Sequence, residues 1–143
     1  MKPYKLSYGR ILETEAGYVR RFIRKGDIGV VEPEEVYFSE IRPGIVRGWY
    51  SNKLSVANLC VVQGEVRFLI KQETEGLTHG PISLTPTENA RLTIQPRCWY
   101  AFKAYGKGNA VICNAIENIY RAEHSSKLEF NEDPVIWSKG TIH

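Results

Sequence analysis

Three side chains of different chemistry, Arg47, Tyr50 and Asn52, fall close together in a stretch bounded by Gly44 and Gly64. A guanidinium is a forked donor shaped for phosphate or carboxylate oxygens. A phenol both donates and accepts hydrogen bonds and offers a ring face, and an amide can make polar contact with a ligand in either sense. Each residue also has a plainer reading. Arg47 fits a solvent-facing strand arginine, Tyr50 a core or pocket-lining aromatic, and Asn52 and Asn58 fit strand-end hydrogen bonding. Strict alternation along an extended strand puts Arg47 and Tyr50 on opposite faces, leaving Lys53 as the cation nearest the phenol.

Other chemistries find less support. His79, His124 and His143 share no metal-ligand spacing, which argues against a zinc or iron site. Cys60, Cys98 and Cys113 are odd in number, widely spaced and set in apolar segments, so they read as buried reduced thiols. No glycine-rich phosphate loop and no Ser/His/Asp arrangement is present. Trp49, Trp99 and Phe102 read as barrel-interior aromatics before they read as ligand platforms. The formal net charge of +3 is too weak and too dispersed to point to nucleic acid, although it suits an anionic small ligand. No apolar run approaches the ~20 residues that span a bilayer, and the start Met1-Lys2-Pro3-Tyr4-Lys5 lacks the apolar region of a signal peptide, so a cytoplasmic protein is expected.

The elements that must position these groups are strands. At 143 residues, with 43% hydrophobic side chains, the chain suits one globular domain without internal repeats. Strands are predicted over Lys5–Leu12 and Tyr18–Arg24, joined by the polar link Glu13–Gly17, with a loop over Gly26–Glu35. Val36–Ile41 is β-branched and aromatic, and Arg42-Pro43-Gly44 turns it into the Arg47–Tyr50 strand. Leu59–Val62 follows, closed by a Gln63-Gly64 turn. Glu65–Lys71 alternates cleanly, with Val66, Phe68 and Ile70 on one face. After a polar loop over Gln72–His79, the segments Pro81–Leu84, Ala90–Ile94, Trp99–Tyr105 and Ala110–Ile116 recur with turn residues between them, as in antiparallel sandwiches and barrels. No helical period precedes residue 117; a short helical turn within Ala122–Leu128 and a hydrophobic clip at Asp133–Trp137 complete the chain.

The stretch from Gly44 resembles the first cupin signature, a glycine, five residues, His-x-His, an acidic residue and a glycine, with Tyr50 and Asn52 in the histidine positions and Ala57 in the acidic one. Together with Val36–Ile41, Leu92–Lys103 and Asp133-Pro134, in that order, it resembles the dTDP-4-dehydrorhamnose 3,5-epimerase (RmlC-like) branch of the cupins over about residues 30–137. The resemblance implies an all-β jelly-roll barrel with its core at about 30–116 and a tail at 117–143, a homodimer, and a nucleotide-sugar site in the barrel mouth without metal or organic cofactor. It implies proton removal beside a sugar ketone and return of the proton to the opposite face. Arg47 would hold the phosphates, Tyr50 and Tyr120 would flank the ring, and Asp133 would support the base. Asn52, Asn58, Trp99 and Tyr100 would be further substrate contacts.

The departures fall on the base. The histidine after Arg-Gly is Tyr50 here, the lysine position falls near Asn58, and a second histidine position holds Tyr100. A phenol ordinarily titrates at about 10 and an imidazole at about 6.5, so the exchange weakens the expected base at neutral pH. His79 and His124 are the alternative bases. A cupin that keeps the pocket for sugar-nucleotide binding or scaffolding, without catalysis, is the competing expectation; a sugar-ketone isomerase is a third.

Overall fold

The computed structural model describes residues 2–27, 32–74 and 76–138. Its strands are β1 (Tyr4–Tyr8), β2 (Ile11–Thr14), β3 (Gly17–Arg20), β4 (Glu35–Ile41), β5 (Val46–Asn52), β6 (Ala57–Gln63), β7 (Glu65–Gln72), β8 (Thr78–Leu84), β9 (Ala90–Ile94), β10 (Cys98–Tyr105), β11 (Ala110–Ile116) and β12 (Ser125–Lys127). Two 3₁₀ turns, Ala122–His124 and Pro134–Ser138, are the helical pieces among the described residues. One five-stranded sheet runs β1-β9-β6-β11-β4 and the other β12-β5-β10-β7-β8, with β2-β3 a separate hairpin. All strand pairings are antiparallel. The protein is all-β, with the double-sheet arrangement of a jelly roll.

Alternation decides which face each sheet buries. Val66, Phe68 and Ile70 of β7 meet Leu59 and Val61 of β6, Leu92 and Ile94 of β9 and Ile112 of β11 in the core between the sheets. A second cluster lies elsewhere: Trp49, Leu69, Trp99 and Ala101 pack with Trp137 of the tail. Leu69 and Trp99 are buried because the Pro134–Ser138 turn brings Trp137 over them. Phe130 adds a ring 5.4 Å from Trp49 and 5.7 Å from Trp137. The expected hydrophobic clip therefore packs on the barrel, and Arg67 Nη1 ties it by donating to the Trp137 carbonyl at 3.1 Å.

Several boundaries differ from the sequence reading. The first predicted strand breaks at Gly9, whose backbone runs so close to the Arg21 carbonyl that a Cβ there would collide with the oxygen. The second ends at Arg20, the last residue paired with β2, although Arg21 N still donates to Arg10 O at 3.1 Å. His79 belongs to β8 and pairs with Ile70, not to a loop. Part of the predicted loop Gly26–Glu35, residues 28–31, lies outside the described residues.

The largest difference lies in β5. Tyr50 pairs with Tyr100 and Arg47 with Phe102, so β5 spends one residue more than β10 over the same distance. The extra residue makes a β-bulge at Gly48-Trp49, and a bulge resets alternation. Gly48 has φ +127°, and a Cβ on it would lie 2.7 Å from Ala101 Cα and 2.8 Å from Tyr100 O. Only glycine fits there, and Arg47 and Tyr50 consequently face the same way.

Candidate functional site

A cavity of about 370 Å³ opens between the two sheets at one end of the barrel. Tyr37 and Ser39 of β4, Arg47, Tyr50 and Asn52 of β5, and Tyr100 and Phe102 of β10 line it. Its apolar floor comes from Ala57 and Leu59 of β6 and Ile112 and Ile116 of β11. The tail closes one side, because β12 pairs with β5 and carries Ser125, Ser126 and Lys127 to the rim beside Tyr120.

The rings are arranged in a file. Tyr50 stands 6.0 Å from Tyr100 and 6.1 Å from Phe102, and Tyr100 stacks near-parallel on Phe102 at 6.2 Å. Two cations face them: Arg47 Cζ lies 5.6 Å from the Phe102 ring centre, and Lys127 Nζ lies 5.8 Å from that of Tyr50. Lys127, not the exposed Lys53 anticipated from sequence, is the ammonium next to the Tyr50 ring. Asn114 donates from Nδ2 to the Tyr37 hydroxyl at 2.8 Å, while its buried Oδ1 has no partner.

Burial raises the Tyr37 phenol, outweighing the Asn114 hydrogen bond that lowers it. Burial likewise pushes Tyr100 up, with Tyr37 and Tyr50 nearby adding to the effect. Both phenols therefore stay protonated at neutral pH and can only donate to an anion or share a hydrogen bond with a hydroxyl. Among the described residues no aspartate, glutamate or histidine lines the cavity, and no three His, Cys, Asp or Glu side chains cluster as metal ligands would.

Of the residues expected from sequence, Arg47, Tyr50, Asn52, Tyr100 and Tyr120 are brought together here. Asn52 also has a structural task, since its Oδ1 accepts from the backbone N–H of Leu54 at 2.9 Å and of Ser55 at 2.8 Å. Tyr120 is held at the rim through its backbone N–H, which donates to Glu35 Oε1 at 2.9 Å.

Three expected residues lie elsewhere. Asn58 is buried on the far face of β6, where its Oδ1 accepts from Thr93 Oγ1 at 2.6 Å; its neighbours Ala57 and Leu59 are the ones that look inward. Trp99 belongs to the cluster around Trp137, because alternation in β10 gives Cys98, Tyr100 and Phe102 to the cavity. Asp133 is exposed, and its Oδ1 accepts from Val135 N at 2.9 Å at the start of the last 3₁₀ turn, away from the lining. Sequence reasoning missed Tyr37, Asn114 and Lys127. Alternation within Val36–Ile41 separates Tyr37 from Val36 and Phe38, but it cannot say which face looks into a cavity.

The fold and the site define a small cupin jelly roll with a ligand cavity in the barrel mouth. No protein-family model matches the chain, and no curated protein does. Solved structures do. A dTDP sugar isomerase from Desulfovibrio desulfuricans is 25% identical, with a TM-score of 0.79 over 93% of this chain and 87% of that one. The dTDP-4-dehydrorhamnose 3,5-epimerase from Bacillus anthracis, solved with TDP and PPi bound, is 18% identical, with a TM-score of 0.79 over 96% and 86%. The sugar 3,4-ketoisomerase QdtA from Thermoanaerobacterium thermosaccharolyticum, in complex with TDP, is 21% identical, with a TM-score of 0.73 over 87% of each chain. The chain is an RmlC-like cupin in fold.

Proposed function

We propose that the cavity takes a dTDP-4-keto-6-deoxy sugar and that the protein acts on it as an epimerase-like isomerase of deoxysugar or polysaccharide synthesis. The observation that carries this reading is the bulge at Gly48-Trp49. It turns Arg47 and Tyr50 into one cavity, in a fold whose solved neighbours are dTDP-sugar isomerases and epimerases. Arg47 and Lys127 supply positive charge for a pyrophosphate, and the file of rings supplies faces for a base and a sugar. In the reaction, Tyr50 as phenolate takes the proton from a carbon beside the ketone. The enolate oxygen is held by hydrogen-bond donors, and Tyr120 returns a proton from the opposite face. Only protons move: Tyr50 ends as the phenol and gives its proton to solvent, and Tyr120 ends as the phenolate and takes one back from solvent.

A second reading rests on the absence of carboxylate and imidazole from the described lining: the chain binds the sugar nucleotide without turning it over. One experiment separates the two. Proton NMR in deuterated buffer follows exchange next to the ketone in a panel of dTDP-4-keto-6-deoxy sugars. Exchange by the wild type that falls at least tenfold in Tyr50→Phe supports catalysis by the phenol. Ligand line broadening without exchange leaves a binding module, and neither effect leaves only the fold.

The same reading includes a homodimer. Val36 and Phe38 of β4 are 55% and 68% exposed, and Tyr18 and Val19 of the isolated β2-β3 hairpin are 57% and 54% exposed. A lone two-stranded hairpin is at best marginal without something to pack on. Light scattering on the eluting protein tests this, with a monomer mass as the contrary result. The three free thiols suit a reducing, cytoplasmic setting, and no helix among the described residues is long and apolar enough to cross a membrane.

A further inference from the structure

A second concavity, of about 440 Å³, lies away from the barrel mouth, between β1, β9 and the segment 21–27. Lys5, Arg10, Arg21, Arg24 and Arg91 line it, and among the described residues the one carboxylate in the lining is Asp27. Asp27 Oδ2 accepts from Arg91 Nη1 at 3.2 Å and from Arg24 N at 2.7 Å, so that carboxylate is already occupied in holding the segment. Among the described residues the other four cations have no carboxylate within ion-pairing distance.

The wall is built rather than incidental. Arg91 is only 7% exposed, Phe22 O accepts from its Nη1 at 3.3 Å, and its buried Nε has no partner. Asn89 locks the same segment from beneath, donating from Nδ2 to Arg21 O at 2.8 Å. Leaving a buried donor unmade is costly, and gathering like charges without counter-charge costs more. Both costs vanish when an anion with several acceptor oxygens sits among these groups. Tyr8 and Phe22, also in the lining, offer ring faces beside the cations.

We propose that this concavity is a second binding site, distinct from the barrel cavity, that takes a nucleoside diphosphate: pyrophosphate among Arg10, Arg21, Arg24 and Arg91, base against Tyr8. The test is calorimetric titration with TDP and, separately, with inorganic pyrophosphate at low and moderate salt. The wild type is expected to bind two TDP per chain. Arg47→Ala should keep one site, and Arg10→Glu/Arg24→Glu, which alters two exposed side chains, should keep the other. At the retained site of Arg47→Ala, Tyr8→Ala should weaken TDP about tenfold and leave pyrophosphate unchanged, the scale of one base–aromatic stack. A single TDP site that disappears in Arg47→Ala overturns the proposal, as does a second site that the double charge reversal leaves intact. Equal affinity for TDP and inorganic pyrophosphate at that site overturns the assignment of a nucleoside.

Discussion

Replacing Gly48 by alanine probes the bulge on which the site depends. The residue has φ +127°, and the added Cβ would meet Ala101 Cα at 2.7 Å, Ala101 Cβ at 2.8 Å and Tyr100 O at 2.8 Å. Two of these three atoms are backbone of the neighbouring strand, so no side-chain rotation relieves the contact. Holding alanine at such a φ costs about 1–3 kcal/mol, and forcing a close-packed strand to shift costs about 1–3 kcal/mol more. The expected loss is therefore about 2–6 kcal/mol, or roughly 5–20 °C in Tm for a domain of this size. Gly44 is the control: it has φ +80° with nothing within 4 Å, so Gly44→Ala meets only the conformational penalty of about 1–2 kcal/mol. Urea unfolding of the three proteins measures the difference, and TDP titration reports whether Arg47 and Tyr50 still face one cavity. A Gly48→Ala protein no less stable than Gly44→Ala, with unchanged TDP affinity, refutes the account of the bulge.

Removing the amide in Asn58→Ala strands the buried Thr93 hydroxyl, so stability should fall by about 1–3 kcal/mol with TDP affinity unchanged; a selective loss of affinity would return Asn58 to the ligand site. Trp137→Ala empties the centre of the cluster over β7 and β10 and should cost about 3–5 kcal/mol, with earlier proteolysis of the tail as the accompanying sign. Stability should also fall in alkali. Burial pushes Cys60 up to about 12 and raises Cys98, Cys113, Tyr37 and Tyr100. The unfolded chain releases these protons first, so above about pH 9 the folded state binds more of them. Each cysteine above about pH 9, and each tyrosine only above about pH 10, then removes stability at about 1.4 kcal/mol per pH unit, an upper bound for the partly exposed ones. Urea midpoints that stay flat from pH 7 to 10.5 would contradict this.

Much of the barrel is written in alternation. Val66, Phe68 and Ile70 show their buried face in the sequence, and Ala90–Ile94 and Ala110–Ile116 have the bounds that composition and turns suggest. What alternation cannot supply is pairing. The bulge at Gly48-Trp49 exists only relative to β10, so Arg47 and Tyr50 read as opposed until the two registers are laid side by side. Trp99 has the same limit. Its strand was legible, but its face was decided by Trp137, a residue nearly forty positions later. Asp133 and Asn58 are polar residues whose hydrogen bonds are local or strand-to-strand, and nothing in their types distinguishes that from ligand contact. Lys127 came to Tyr50 through the pairing of a three-residue strand too short to carry a periodic signal.

Under the proposed reading the lining groups divide between binding and proton transfer. Arg47 and Lys127 are cations, and burial keeps Tyr37 and Tyr100 protonated, so these four groups favour an acceptor-rich anion without removing a proton from it. The Asn114 amide is committed to Tyr37 on one side. Under the proposed reading proton abstraction falls to Tyr50, whose ring centre lies 5.8 Å from Lys127 Nζ and which shares the cavity wall with Arg47. Cations on this wall would favour the enolate that forms in the proposed reaction. Arg47→Ala should accordingly weaken TDP binding, whereas Tyr50→Phe should leave TDP binding within about threefold and remove exchange, since a phenyl ring still stacks but cannot accept a proton. If both substitutions weaken binding alike and neither changes the exchange rate of bound sugar, Tyr50 serves the ligand and not the reaction.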